Sequence, residues 1–273
     1  MTAYSLPGFN AHHRINALVL AGTRQGPKDR LAIHGGVSHK ALLPIQGVPM
    51  VTRVVKTLAS LPYIGTISIC SEDPSLLQKA ELEGYDFITA HSGPSASVLA
   101  GLHRLGTPLL VTTADHALLQ ADWVHNFITL QQKNPTDIAA AITSREHILK
   151  DLPFETQRTY LKLADGQFSG CNLFMLNTEK ALSVVRFWQK LEAERKNPLK
   201  MAQLLGFRTL VLYLVKRLNR KAICQAIQRL TGATAQLTVL DTGFAAIDMD
   251  KPADLELADK IFKNNLLNPS LPA

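Results

Sequence analysis

The sequence holds no apolar run near the ~18–20 residues that a membrane-spanning helix requires. One of its longest, 210–215, falls far short of that length. Residues 1–16 lack the apolar centre of a secretory signal, and His12-His13-Arg14 leads toward a strand rather than a cleavage site. These absences predict a cytoplasmic protein. Cysteine is scarce: Cys70, Cys171 and Cys224 are widely spaced, odd in number and form no CxxC pair. They read as buried free thiols in a reducing compartment, which excludes a disulfide framework. None of the nine histidines falls in HExxH spacing, which argues against a zinc site. No Ser-His-Asp or Cys-His nucleophile motif, low-complexity tract or internal repeat is present.

The chain has 273 residues, 46% of them hydrophobic and 19% charged, an ordinary balance for a folded domain. At about 100–200 residues per domain, the length allows one large α/β domain or two small ones. The net charge of +7 is unevenly spread. Between positions 186 and 229 there are eleven Lys and Arg against Glu192 and Glu194, so the rest of the chain sums to −2. The basic excess belongs to one segment.

Residues 15–20 (INALVL) read as a short buried strand. Strands are also expected at 64–70, 86–90, 108–113 and 137–143, with helices at 49–61, 74–83, 96–105 and 121–132 between them. The alternation argues for βαβ units and a mainly parallel sheet. Strands at 159–163 and 172–176 and a helix at 178–194 follow. From 198 to 230 the pattern is purely helical, with apolar residues at 211, 214, 215, 218, 222, 223, 226, 227 and 230 and basic residues between them. Strands at 236–240 and 244–247 and a helix at 252–263 close the chain. The expectation is a single domain over 1–273 with a basic helical insertion at 198–230.

Four segments carry candidate chemistry. Leu20-Ala21-Gly22-Thr23-Arg24 follows the first strand, where a glycine lets backbone approach a ligand and N–H groups can cradle phosphate. Arg24 can pair with phosphate oxygens, and Lys40 is a point cation suited to polyphosphate. Taken alone, the first segment also fits a turn with a surface arginine. Ser92-Gly93-Pro94-Ser95-Ala96-Ser97 fits either a ligand-contacting loop or a capped helix start. Asp115 stands at the exit of the 108–113 strand, placed for a metal ion or for capping the next helix; His116 beside it reads as a polar loop residue. Asp248-Met249-Asp250 at a strand end, paired with Asp115, makes a candidate metal site. Asp254 reads as a charge or cap in the first turn of the last helix.

The segment from Leu20 to Arg24, together with Lys40-Ala41-Leu42-Leu43-Pro44-Ile45-Gln46-Gly47-Val48-Pro49, resembles the N-terminal signature of the MobA-like NTP transferases, approximately LAGGxGxRM…K.LLPxxGxPM. Here the second glycine before the arginine is missing, and the stretch 25–39 is longer than usual. The resemblance implies a Rossmann-like three-layer α/β/α sandwich of the nucleotide-diphospho-sugar transferase type. It implies a nucleotidyltransferase, with Arg24, Lys40 and Asp115 as catalytic residues. Leu20, Ala21, Gly22, Thr23, Arg24 and Lys40 would hold the NTP phosphates, and Gly93, Pro94, Ser95 and Ser97 the nucleobase. Asp115 and Asp250 would bind Mg2+. The family's Met-Pro after the aspartate is His116-Ala117 here, and its DxDTPxDL segment carries Lys251 for threonine. Gly170 and Asn172, within Ser169-Gly170-Cys171-Asn172, match a glycine and asparagine near the acceptor or ribose, or read as a plain turn into a strand.

The expected partners are an NTP and a phosphorylated small-molecule acceptor. The 198–230 segment fits a solvated amphipathic pair, a site for an acidic ligand, or an anionic membrane surface. Nucleic acid is disfavoured, since Phe207 and Tyr213 are nearly its only aromatics. Two other functions compete: a glycosyltransferase of the same architecture, and a non-catalytic nucleotide-binding or membrane-associated protein.

Overall fold

The computed structural model describes residues 4, 6, 14–23, 26–152 and 158–267. The first strand, β1 (Ile15–Leu20), is central. It pairs in parallel with β4 (Ile64–Ser71) on one side and β6 (Leu109–Thr113) on the other. β4 continues to β5 (Asp86–Thr89) at one edge. Beyond β6 lie β9 (Gly166–Leu176), antiparallel to both neighbours, then β7 (Ile138–Ser144) and β10 (Ala235–Leu240). A short strand, β8 (Leu161–Leu163), turns back on β9. A separate hairpin joins β2 (Pro44–Ile45) to β3 (Val48–Pro49). Its loop residues Gln46 and Gly47 both have positive φ, 49° and 76°, as a two-residue type I′ turn requires.

The alternation of side chains along β1 explains the layering. Ala17 and Val19 enter one core, with α2 (Met50–Ala59), α4 (Ala121–Lys133) and α10 (Pro252–Lys263) packed over it. Leu18 enters the other, with α3 (Pro94–Leu105) and α6 (Ala181–Ala193). A Cβ on Gly101 of α3 would fall 2.4 Å from Leu18 Cδ2, so glycine there lets α3 lie tightly on β1. The architecture is thus the three-layer α/β/α sandwich expected.

The chain leaves β1 for β4 and β5, then α3 carries it back across to β6. The direction of strand order therefore reverses at β1, and the crevice at the carboxyl ends of β1 and β6 is the natural ligand position.

Three local expectations are corrected. Residues 244–247, read as a strand, are a 3-10 turn over Phe244–Ala246 with all of 244–247 buried. A short apolar run is ambiguous when nothing in it alternates. The helix expected at 74–83 is a shorter 3-10 helix, Pro74–Ala80, started by Asp73, whose carboxylate accepts the Ser75 N–H at 2.9 Å. The stretch 25–39 contains a short helix, α1 (Arg30–His34), capped by Asp29, which accepts from Leu31 and Ala32 N–H at 3.0 Å each. One further helix, α5 (Arg145–Asp151), follows β7 unforeseen, capped by Ser144. The 198–230 segment forms α7 (Pro198–Leu205), α8 (Phe207–Leu214) and α9 (Arg220–Thr231). Among the described residues, no helix is long and apolar enough to cross a membrane.

Candidate active site

A cavity of about 440 Å³ opens at the carboxyl ends of β1, β4 and β6. Leu20, Gly22 and Thr23 line one wall, Gly93, Pro94 and Ser97 another, and Lys40, Thr113, Asp115 and Asp250 a third. Residues as far apart in the chain as Leu20 and Asp250 thus meet at one sheet edge. Leu20 ends β1; its carbonyl accepts from Ala114 N–H at 2.9 Å, and Ala21 N–H donates to the Cys70 carbonyl at 2.8 Å. These bonds carry the sheet pairing one residue further, so the chain breaks free only at Gly22. Arg24 lies outside the described residues.

Lys40 begins a 3-10 turn, Lys40–Leu42, held by His39, whose Nδ1 accepts the Ala41 N–H at 3.1 Å. His39 is 3% exposed, and burial depresses its pKa against the opposing pull of Glu72, 3.7 Å away. The turn points Lys40 Nζ between two carboxylates, 2.7 Å from Asp115 Oδ2 and 2.7 Å from Asp250 Oδ1. Burial works against the charge of Lys40, yet Asp115 and Asp250 outweigh it and hold its pKa above that of an ordinary lysine. The ammonium is therefore fixed in its charged form. The two carboxylate segments are stitched together by Met249 N–H, which donates to the Asp115 carbonyl at 3.0 Å.

A second ionic cluster lies behind the first. Arg158, 7% exposed at its side chain, reaches Asp248 Oδ1 at 2.6 Å and Asp254 Oδ1 at 2.7 Å. Asp254 also accepts the N–H groups of Asp250 at 3.1 Å and Lys251 at 3.0 Å, so it caps α10 as expected and anchors the Asp250 backbone as well. Burial, then the charges of Asp250 and Asp115, raise the Asp248 pKa against the pull of Arg158. Asn172 reaches the same carboxylate, Nδ2 to Asp248 Oδ2 at 3.4 Å. It does so from a bulge in β9, where Ala140 faces Phe174 but Ile142 faces Gly170. Asn172 has φ 47°, a left-handed conformation that asparagine tolerates better than most residues. Gly170 is exposed on the same strand, and neither residue lines the cavity itself.

Polar atoms at this edge go unmatched. The Thr23 and Thr113 hydroxyls and Asp115 Oδ1, all on residues lining the cavity, are buried without a hydrogen-bond partner. Native interiors leave few such groups, so their concentration around one cavity marks a place where a ligand completes the bonding. His116 lies in a loop, as expected, but its side chain is turned inward. It is 1% exposed and stacked on Trp123, and burial depresses its pKa to about 4, so it is a neutral core group.

Two glutamates that sequence reasoning missed sit on the backbone donors of the site. Glu72 follows β4 and accepts the Thr23 N–H. Glu192 of α6 accepts from Ser95 N–H at 3.3 Å and from the Ser95 hydroxyl. Ser95 is thereby turned onto α6 rather than into the cavity, while Ser97 Oγ accepts the His91 N–H at 3.0 Å and shapes the loop. A carboxylate resting on loop N–H groups fills the role that a phosphate oxygen fills in a nucleotide complex. No local spacing betrays Glu72, Glu192 or Arg158, because each acts on a partner far away in sequence.

Among the described residues, no three His, Cys, Asp or Glu side chains converge as a metal cluster. Mg2+ does not need one: it commonly takes one or two carboxylates and completes its shell with water and substrate phosphate. The donor set here fits that habit. Asp115 and Asp250 both hold Lys40 Nζ, each through one oxygen, and Asp115 Oδ1 has an unspent acceptor.

Comparison with known proteins bears on the fold and the family. A molybdenum cofactor guanylyltransferase of Cupriavidus necator is 29% identical over 139 residues, half of this chain and 65% of that protein, so the chain spans just under two thirds of the relative's length. A hypothetical transferase from Thermus thermophilus is 28% identical with a TM-score of 0.73, over 89% of this chain and 99% of its own. A CMP:2-keto-3-deoxy-manno-octonic acid synthetase solved with CTP shares the fold at 13% identity and a TM-score of 0.58, covering 92% of this chain and 99% of that one. A match to the MobA-like NTP transferase domain runs through residues 17–243, from the first strand to beyond the last, and by that extent the chain belongs to the MobA-like NTP transferase family.

Proposed function

We propose that this protein transfers a nucleoside monophosphate from an NTP to a phosphorylated small molecule, a sugar phosphate or a cofactor precursor, with release of pyrophosphate. One observation carries the reading: Lys40 is held between Asp115 and Asp250 at the wall of a cavity entered past the Gly22–Thr23 backbone. That is an arrangement for handling a polyphosphate. An oxygen of the acceptor phosphate attacks the α-phosphorus, a new P–O bond forms, and the bond to the bridging oxygen breaks. The electron pair departs with pyrophosphate.

No side-chain nucleophile is required, so the protein contributes position and charge. The Gly22 and Thr23 backbone faces the phosphates once Glu72 gives way. Lys40 neutralises charge on the departing pyrophosphate, and Arg24 is assigned the same task by the family motif. Gly93, Pro94 and Ser97 face the base. Asn172 and Gly170 stand on the acceptor side, beyond Asp248. Mg2+, held by Asp115 and Asp250, would add charge neutralisation at the phosphates.

The test is pyrophosphate release with Mg2+, each NTP being offered with sugar phosphates, alditol phosphates, phosphonates and molybdopterin. GTP with molybdopterin comes first, after the name of the Cupriavidus relative. Release is expected with one pair and should vanish in Asp115→Ala and Asp250→Ala. Release that survives both substitutions removes the metal assignment. If no NTP raises the melting temperature in the presence of Mg2+, the nucleotidyltransferase reading fails.

A further inference from the structure

Helix α8 is inside out. Its successive residues advance by about 100° around the axis, which places Phe207, Leu210, Val211 and Leu214 on one stripe with Val215 just beyond. Its ends face away from the protein, while Leu210 and Val211 in its middle are half-buried. Phe207 is 80% exposed, Leu214 67% and Val215 54%, whereas the residue turned inward and buried is Thr209. Leu199 of α7, 78% exposed, and Tyr213, 58% exposed, are further exposed apolar side chains on the same two helices. Among the described residues the only large apolar side chains exposed elsewhere, apart from Leu230 on α9, are the scattered Ile33, Leu149 and Leu161. Contiguous apolar exposure of this kind marks an interaction surface.

The charge around the stripe identifies what covers it. From 195 to 240 the sequence contains no aspartate or glutamate. Lys200 pairs with Glu194 and Arg220 with Asp165, but exposed Lys196, Arg208, Lys216, Arg217, Lys221 and Arg229 have no carboxylate within ion-pairing distance among the described residues. Arg208 borders the stripe, and Lys216 and Arg217 follow it directly. A second copy of the chain would bring the same unpaired cations against these and be repelled. Nucleic acid would use the cations but leave the aliphatic stripe wet. A surface that is anionic above and hydrocarbon below satisfies both. We propose that α7 and α8 form a docking face for anionic lipid bilayers, with Phe207, Leu214 and Val215 entering the headgroup–acyl boundary and the cations resting on lipid phosphates.

The experiment is flotation of the full chain with vesicles of phosphatidylcholine alone and of phosphatidylcholine containing one third phosphatidylglycerol, without nucleotide. The chain should float with the anionic vesicles, less so at high salt, and not with the neutral ones. Arg208→Glu combined with Lys216→Glu and Arg217→Glu should lower partitioning by at least about a hundredfold, since each cation near such a surface counts for about fivefold. Phe207→Ser with Leu214→Ser should lower it by at least about tenfold. Because these positions are exposed, circular dichroism and thermal melts should match the parent. Absence of flotation, equal flotation with neutral vesicles, or indifference to both sets of substitutions overturns the proposal. Free glycerol phosphate that displaces the vesicles would show that the cations read a soluble anion, and the lipid assignment would fall. So would a dimer, seen by sedimentation, that Leu214→Ser dissociates while no vesicle binding occurs.

Discussion

The carboxyl edge of the sheet and the arm formed by α7 and α8 depart from ordinary packing in opposite directions. At the sheet edge, polar atoms are turned inward and left without partners: Thr23, Thr113 and Asp115 each bury an unmatched oxygen. In the arm, apolar side chains are turned outward while Thr209 is buried. Each is costly for a protein alone in water, by desolvation in one case and by exposure in the other. The lesson is that unsatisfied chemistry has a sign. Buried polar vacancies ask for a polar ligand, and exposed apolar stripes with unpaired cations ask for a surface.

Substitutions can break that contrast. The largest effect is expected at Arg158, nearly buried between Asp248 and Asp254. Arg158→Met strands two carboxylates, one of them buried, and should cost about 3–5 kcal/mol of stability, read from urea midpoints at pH 7. Next comes Lys40→Met. If the charge held between Asp115 and Asp250 assists the departing pyrophosphate, kcat should fall about 10²–10³-fold, the range for removal of one preorganised donor. A loss confined to KM would instead assign Lys40 to ground-state binding. Glu72→Gln is smaller and has the opposite direction. It weakens the grip on the Thr23 N–H and removes a charge from the phosphate side, so KM for the NTP should drop by about fivefold, roughly 1 kcal/mol. Unchanged KM would mean that Glu72 never competes with phosphate. The smallest effect is in the arm. Phe207→Ser and Leu214→Ser should each shift stability by less than about 0.5 kcal/mol, as exposed positions do. A loss of several kcal/mol would show that the stripe packs against protein.

The sequence and the structure agree where a local signal sufficed. The run at 15–20 is apolar enough to be a central strand, and β1 has the bounds expected. Lys40, Asp115 and Asp250 were each legible as residues following a strand or preceding a helix, and the topology brings them together because all those ends share one edge. What stayed hidden depends on distant partners. Arg158 has no motif, yet it fixes the Asp248 and Asp254 carboxylates. Glu72 and Glu192 look like surface acids until their loops fold against Thr23 and Ser95. Periodicity revealed that 198–230 is helical, and it specified an apolar face for α8. It could not say what that face looks toward, because a stripe at 3.6-residue spacing is the same whether it meets a core or a membrane.

Lys40 and Asp250 touch although 210 residues separate them in the chain. Their union therefore waits on a segment made 210 residues after Lys40. The matched family region ends at residue 243, after β10 and before Asp250. A nascent chain, or one trimmed at that boundary, would possess every strand of the main sheet and the Gly22 loop, but Lys40 would have a single carboxylate beside it. Domains tend to fold as their residues emerge, with long-range closures coming last. During synthesis the strands of the main sheet thus precede the paired carboxylates, and Lys40 gains its second one only when the segment bearing Asp250 folds back onto it.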